Sequence, residues 1–529
     1  MKTLFLSLFL LLFLFPSPAG AGRILYFEPF PPEGTSLLTP RPPVGLHLLL
    51  EEERIEDGRL ELDGRECPLK WEGDFLHCRP EEPLAPGIHT YRLTLVFAGP
   101  WRPLSFSRTF RVLPGADPSP DPSPPYEELV REEVNRLRGL ADLPPLEIHP
   151  ALVRAARAHA AYCLRHRCWE KGLGAHGETP DTEGFTGERA MERAFSQGYP
   201  GYFVAENIHF LADPARAVRE WGDSVYHRLT LLEPLAEEIG YGQAGRGDYQ
   251  VNVLKVGSQN PFRSPGIPER GWNFSSLTVY PARGQREVPL SWPGNEIPDP
   301  YRFFSPRSKN GYPYPLTIQL NRKEAEGLSL FSASLEEEGG GEIPLEILVP
   351  ASSPFSGGHK DEYLNRALAL LPRFPLRPCT SYRVRAEVEI RYPERRELHP
   401  LSWHFTTRGC PEPAEGKARV SLEGRGISLP ALIRGGRSFL PARAFLEALG
   451  ARVEWDPHRR TVTAVMESGD RLAFKVGFDL AFRGEEEIRL PEPPFIAGDR
   501  TYIPVRALAS LLGMKVEWRE ENREVVLSR

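Results

Sequence analysis

At 529 residues and roughly 100–200 residues per domain, the chain has room for about three to five domains. Hydrophobic residues make up 40% and charged residues 26% of it, which excludes wholesale disorder. The formal net charge of −6, with no run of five Lys or Arg, excludes a polycationic surface and argues against nucleic acid as a partner.

The N-terminus reads as an address. Lys2 precedes an apolar run, Leu4 to Phe15, interrupted only by Ser7. Pro16-Ser17-Pro18 then breaks the segment, and Ala19-Gly20-Ala21 supplies small residues for cleavage. This pattern predicts a signal peptide over 1–21, cut after Ala21. At about 12 residues, the apolar run falls short of the ~20 that span a bilayer. No later stretch is apolar enough to span one, so the expected location is secreted, extracellular or at the cell envelope.

Residues 22–115 carry short apolar or alternating runs, Leu46–Leu50, Leu60–Leu62, His89–Phe97 and Leu104–Val112, separated by Gly and Pro clusters. They predict an immunoglobulin-like β-sandwich. Residues 116–125 are a proline-rich linker. Residues 126–258 change character. Tyr126, Leu129, Val130, Val134 and Leu137 recur at helical spacing, and Pro150 opens a second helix running to about His166. Asp213-Pro214 reads as a cap and first-turn proline ahead of the stripe Ala217, Val218 and Trp221. Tyr249 to Val256 has a strand pattern, which makes this an α+β domain. After a linker over 259–284, the segment 285–410 returns to strand signals and predicts a second immunoglobulin-like β-sandwich. A short linker, 411–417, leads to 418–529, where Gly435 to Trp455 matches Gly498 to Trp518 at a constant offset of 63 residues. Each copy predicts a strand entering Pro441 or Pro504, a two-turn helix stopped at Gly450 or Gly513, and a strand carrying Val453/Trp455 or Val516/Trp518.

The six cysteines form three close pairs: Cys67 with Cys78, Cys163 with Cys168, and Cys379 with Cys410. Six cysteines allow 15 pairings. Each close pair lies inside one predicted domain and no CxxC is present, so disulfides are expected rather than zinc sites. For Cys163 to reach Cys168, the helix has to end near His166.

The segment 126–258 resembles the CAP superfamily (cysteine-rich secretory and plant pathogenesis-related proteins) in its bacterial form. The matching residues stand in family order: Val134 to Arg138, Leu143 to Leu146, Ala155 to Ala160, Ala175-His-Gly177, Gly198-Tyr199, Ala205-Glu-Asn-Ile208, Val218 to Trp221, Tyr226-His-Arg228 and Ile239 to Gly242. The resemblance implies a central α-β-α sandwich with a cleft lined by two histidines and two acidic residues. His176, Glu206 and His227 fall on that pattern. The fourth position falls at Asp223 in Trp221-Gly-Asp-Ser224, where the family has Trp-x-x-Glu. Two imidazoles and a carboxylate suit a divalent metal, zinc first. The competing reading is that these side chains bond one another and hold the cleft together. His149, His159, His166 and His209 are expected as cap or surface residues. Ser224 and His227, at i,i+3, have no evident orienting acid or oxyanion hole for nucleophilic work.

The 418–529 repeat resembles the N-terminal stalk-like domain of copper amine oxidases. Its Arg-x-x-x-Pro-x-Arg pattern, ending in Gly-x-x-Val-x-Trp, occurs twice. The resemblance implies a structural or attachment module, an α+β tandem repeat, and not copper chemistry. Arg443 and Arg506 are expected either to pair with carboxylates locally or to face a cell-wall polymer. The expected function is a non-catalytic secreted or surface protein whose cleft binds a divalent metal, a small apolar ligand, or a cell-wall or envelope component. The alternatives are a metal-assisted hydrolase using Glu206 as general base and an architectural envelope spacer.

Overall fold

The computed structural model describes residues 24–50, 55–98, 102–114, 125–246, 249–259, 276–301, 311–322, 325–350, 361, 363–364, 366–410, 415–422 and 427–528. The expected signal peptide and most of the linkers over 116–125, 259–284 and 411–417 lie outside these residues. The described part is multidomain and mostly β-sheet, with seven α-helices: α1 (Pro125–Leu140), α2 (Pro150–Arg165), α3 (Ala190–Ser196), α4 (Pro214–Asp223), α5 (Tyr226–Leu231), α6 (Ala442–Ala448) and α7 (Val505–Leu511). Among the described residues, no helix is long and apolar enough to cross a membrane.

The chain divides into two compact units. One holds the N-terminal residues together with the segment Met191–Tyr202, and the other holds most of the remainder. In the first unit a four-stranded sheet (Ile24–Phe30, Val44–Leu50, Phe75–Cys78, Lys70–Glu72) and a five-stranded sheet (Ser36–Leu37, Leu104–Val112, Gly87–Phe97, Ile55–Leu62, Arg65–Cys67) contribute to one core. The strand Gly87–Phe97 shows why. His89, Tyr91, Leu93, Leu95 and Phe97 are buried, while Ile88, Thr90 and Arg92 at the alternate positions are exposed. That is the period-two signature of a half-buried strand. A disulfide, Cys67–Cys78, joins strands of the two sheets. The segment Met191–Tyr202 packs here through Phe195 on Phe30 and the bond from Leu38 N–H to Ser196 O.

In the second unit, residues 125–258 outside that segment build a four-stranded sheet in the order Glu147–Ile148, Glu238–Arg246, Tyr249–Ser258, Phe203–His209. Alternate residues of Tyr249–Ser258 serve opposite faces. Val251 and Val253 pack with Ala156 and Ala160 of α2. Leu254 and Val256 share a core with Val130 and Val134 of α1 and Trp221 of α4. Helix α2 lies very close to the sheet. A Cβ on Gly240 or Gly242 would sit 2.2 Å from the Leu152 carbonyl carbon or the Arg157 amide nitrogen, so only glycine fits there. His149 caps α2, accepting from Ala151 N–H, and His166 closes it.

Residues 277–407 form a four-stranded sheet (Leu277–Tyr280, Leu316–Leu320, Ala367–Pro372, Leu345–Leu348) and a five-stranded sheet (Gln285–Val288, Arg396–Thr407, Ser381–Arg391, Gly327–Glu337, Glu342–Ile343). Cys379 and Cys410 are bonded. In the C-terminal part the two sequence copies meet strand to strand. Leu440 of Arg437–Pro441 lies opposite Ile503 of Arg500–Pro504. These two residues are equivalent at the 63-residue offset, so the register of these two strands is symmetric about that pair. Helices α6 and α7 follow, and left-handed Gly450 (φ 85°) and Gly513 (φ 66°) stand just beyond them.

Candidate functional site

The strand Phe203–His209 pairs antiparallel with Tyr249–Ser258, and the register sets Glu206 directly opposite Lys255. Directly opposed side chains lie on one face of a sheet, within reach of each other. The Lys255 ammonium donates to Glu206 Oε2. Both side chains are buried, at 0% and 3% exposure. The other carboxylate oxygen, Oε1, lies 3.0 Å from His176 Nδ1 and 3.6 Å from His159 Nε2. His159, on α2, is itself fully buried; its Nδ1 faces Glu178 Oε1 at 2.8 Å and its Nε2 faces Ala175 O at 3.1 Å. His176 ends the short 3-10 helix Gly172–His176, after which Gly177 is extended. Its side chain is 38% exposed. The arrangement is a buried chain of charged and polar groups, Glu178–His159–Glu206–Lys255, with His176 at its solvent edge. Burying such groups is tolerated only when each is paired.

His227 has a different carboxylate partner. Its Nδ1 is 2.8 Å from Glu296 Oε1, and that carboxylate also accepts the backbone N–H groups of His227 (2.8 Å) and Val225 (2.9 Å). These donors stand at the start of α5, where helical N–H groups lack partners, so Glu296 acts as a cap delivered from a distant segment. Burial alone raises the Glu296 carboxyl, but the His227 side chain and the two N–H groups hold it below the ordinary carboxylate range. Asp223 Oδ1 accepts from Tyr314 O–H at 2.9 Å, and burial raises its carboxyl.

The four side chains expected to share a metal are therefore divided among three pairings: His176 with Glu206, His227 with Glu296, and Asp223 with Tyr314. Strand parity is the physical reason. Glu206 and Ile208 face α2, whereas Asn207 donates to His227 O and His209 bonds Glu220 of α4. Among the described residues, no group of three or more His, Cys, Asp or Glu is arranged to hold a metal ion. The donor set does not fit zinc as it stands, because both Glu206 oxygens are engaged and an ammonium group supplies the positive charge.

The Ser224–His227 pair is not arranged for nucleophilic chemistry. Ser224 Oγ lies 3.3 Å from His227 Nδ1, the same ring nitrogen that meets Glu296. A relaying histidine needs its two nitrogens on the two partners. Ser224 Oγ instead donates to Trp221 O at 2.9 Å. The expected Cys163–Cys168 disulfide is a further correction. Both are buried thiols, and Cys163 Sγ is directed at Ala175 O, 3.5 Å away. His159, expected as a cap or surface residue, belongs to the buried network, and His209 is largely buried against Glu220.

Sequence reading missed His159, Glu178, Lys255 and Glu296 as site residues. Lys255 carried a visible signal, since a charged residue inside the run Val251 to Val256 needs a buried partner.

Two solved structures are similar to parts of this chain. An outer surface protein from Borrelia burgdorferi is 20% identical, covering 25% of this chain and 92% of that one, with a TM-score of 0.21. Schistosoma mansoni venom allergen-like protein 4 is 12% identical, covering 27% of this chain and 94% of that one, with a TM-score of 0.17. At these scores, neither carries an argument about function. No curated protein matches the chain. Two family models do match: residues 131–256 match the Cysteine-rich secretory protein family, and residues 421–527 match the copper amine oxidase N-terminal domain.

Proposed function

We propose that the protein is a secreted or cell-surface binding protein without catalytic activity, and that its 126–258 module takes a small ligand or cell-wall component at His176. The observation that carries this reading is the position of His176, the half-open end of an otherwise sealed ion network. A rigid polar group presented at the surface by buried partners is pre-organised for recognition. The match of 131–256 to the cysteine-rich secretory family supports an extracellular binding role. On this reading Lys255, not a metal, is the cation that balances Glu206. The 418–529 module, including the exposed Arg443 and Arg506, is read as an attachment module.

The test is calorimetric titration of the full chain with soluble peptidoglycan fragments and, separately, with short-chain phospholipid. Saturable binding to one of them, weakened at least about tenfold by His176→Ala (about 1.4 kcal/mol), is expected. Binding unaffected by that substitution, or no binding to either, would remove His176 from the account.

A further inference from the structure

Two histidines of the N-terminal unit are buried against the same aromatic ring. His47, on Val44–Leu50, lies directly opposite Phe75, on Phe75–Cys78. The Phe75 ring stacks on both imidazoles, with centroids 4.3 Å from His47 and 4.7 Å from His77. The two histidines are 4% and 0% exposed. His47 Nε2 donates to Pro200 O at 2.6 Å, and His77 Nε2 donates to Glu72 Oε2 at 3.1 Å. Both Nδ1 atoms are buried without a hydrogen-bond partner. A neutral ring leaves Nδ1 as an unmet acceptor. A protonated ring turns it into an N–H donor with nothing to receive it, beside a second ring in the same state.

The surrounding charges do not rescue His47. Glu28 sits across from it on Ile24–Phe30, but its carboxylate is bonded by Tyr26 O–H. Asp74 adjoins Phe75 in sequence. Glu72, Lys70 and Arg79 act on His77, so its surroundings carry both signs. Burial lowers His47 to about 4, and the neighbouring His77 adds to that, while the Pro200 carbonyl opposes it. His77 is lowered as well, by burial first.

We propose that His47 and His77 form an acid-sensitive latch that holds the segment Met191–Tyr202 on the N-terminal unit at neutral pH and releases it on acidification. The segment's ties include the His47–Pro200 bond, the Leu38–Ser196 bond and the Phe195–Phe30 contact. It runs directly into Phe203–His209, the strand that carries Glu206. The folded state favours neutral His47, so the released state binds more protons between its ordinary value of 6.5 and about 4. The latch is complete above the upper value and weakens as pH falls towards the lower one. At pH 5 the His47 difference corresponds to roughly thirtyfold in the closed-to-open ratio.

The test is hydrogen exchange of the full chain at pH 7 and pH 5, corrected for intrinsic rates. Opening of 191–202 is expected to rise about thirtyfold, while Ser381–Arg391 is unchanged. His47→Phe, which keeps a ring on Phe75 but cannot titrate, should abolish most of the response. Should that variant not fold, His77→Phe and a proton NMR titration of the wild-type histidines serve instead, the His47 midpoint being expected near 4. No response at 191–202, equal loss of protection in both segments, an undiminished response in the folded variants, or a His47 midpoint at its ordinary value would each overturn the latch.

Discussion

Replacing Lys255 by methionine tests the buried network most severely. The substitution keeps the length and packing of the side chain but removes the ammonium from Glu206 Oε2. The carboxylate is 3% exposed and retains its 3.0 Å contact with His176. Breaking one side of a buried pair costs about 3–5 kcal/mol. With the histidine still in place, the lower end, about 3 kcal/mol, applies here, or roughly a hundredfold in the local opening constant. Adding Glu206→Gln removes the stranded charge and should return most of that loss. Native-state hydrogen exchange of Phe203–His209 and Tyr249–Ser258 in the full chain reads both effects locally, which matters because a multidomain chain has no single unfolding free energy. An opening constant unchanged by Lys255→Met, or a double variant less protected than the single one, would mean that Lys255 does not balance the Glu206 charge.

Two further expectations follow from the packing around the site. Glu296→Gln leaves the α5 N–H groups and His227 with a weaker acceptor and should cost about 2–3 kcal/mol near neutral pH, measured by exchange across Tyr226–Leu231. Because the folded Glu296 carboxyl is held below its ordinary value of 4.5, its contribution is present above that value and is lost as pH falls through the lower folded value. The variant should therefore lack that part of the acid limb, and identical acid limbs would contradict the capping role. Gly242→Ala drives a Cβ into the backbone of α2 at 2.2 Å and should cost about 1–3 kcal/mol, read as faster native-state hydrogen exchange across Glu238–Arg246 and Pro150–Arg165 in the full chain; unchanged protection there would contradict the close packing.

Local features were readable from the chain because their causes are local. His149 ahead of Pro150 marks the start of α2, the alternation in Gly87–Phe97 gives a half-buried strand, and the 63-residue repeat gives two matching strand–helix units. The site was less readable because its partners come from different elements. Glu206 is close to His176 in space, as its place in the pattern implied, but the cation opposite it is set by strand register, 49 residues away in sequence. His227 is drawn to Glu296, 69 residues further on, which no spacing within 126–258 reveals. Strand parity decided the rest: Glu206 and Asn207 are adjacent in sequence but serve opposite faces of the sheet, so one motif feeds two separate sites. Ending α2 at Arg165 was not sufficient to pair Cys163 with Cys168, because the Cys163 thiol is turned inward towards Ala175 O.

In the proposed function Lys255 is the counter-charge of Glu206 and His176 meets the ligand. Zinc titration of the full chain by calorimetry, repeated with His176→Ala, discriminates this pairing from a metal centre. No stoichiometric heat that depends on His176 is expected. A one-to-one zinc site that disappears with that substitution would contradict it.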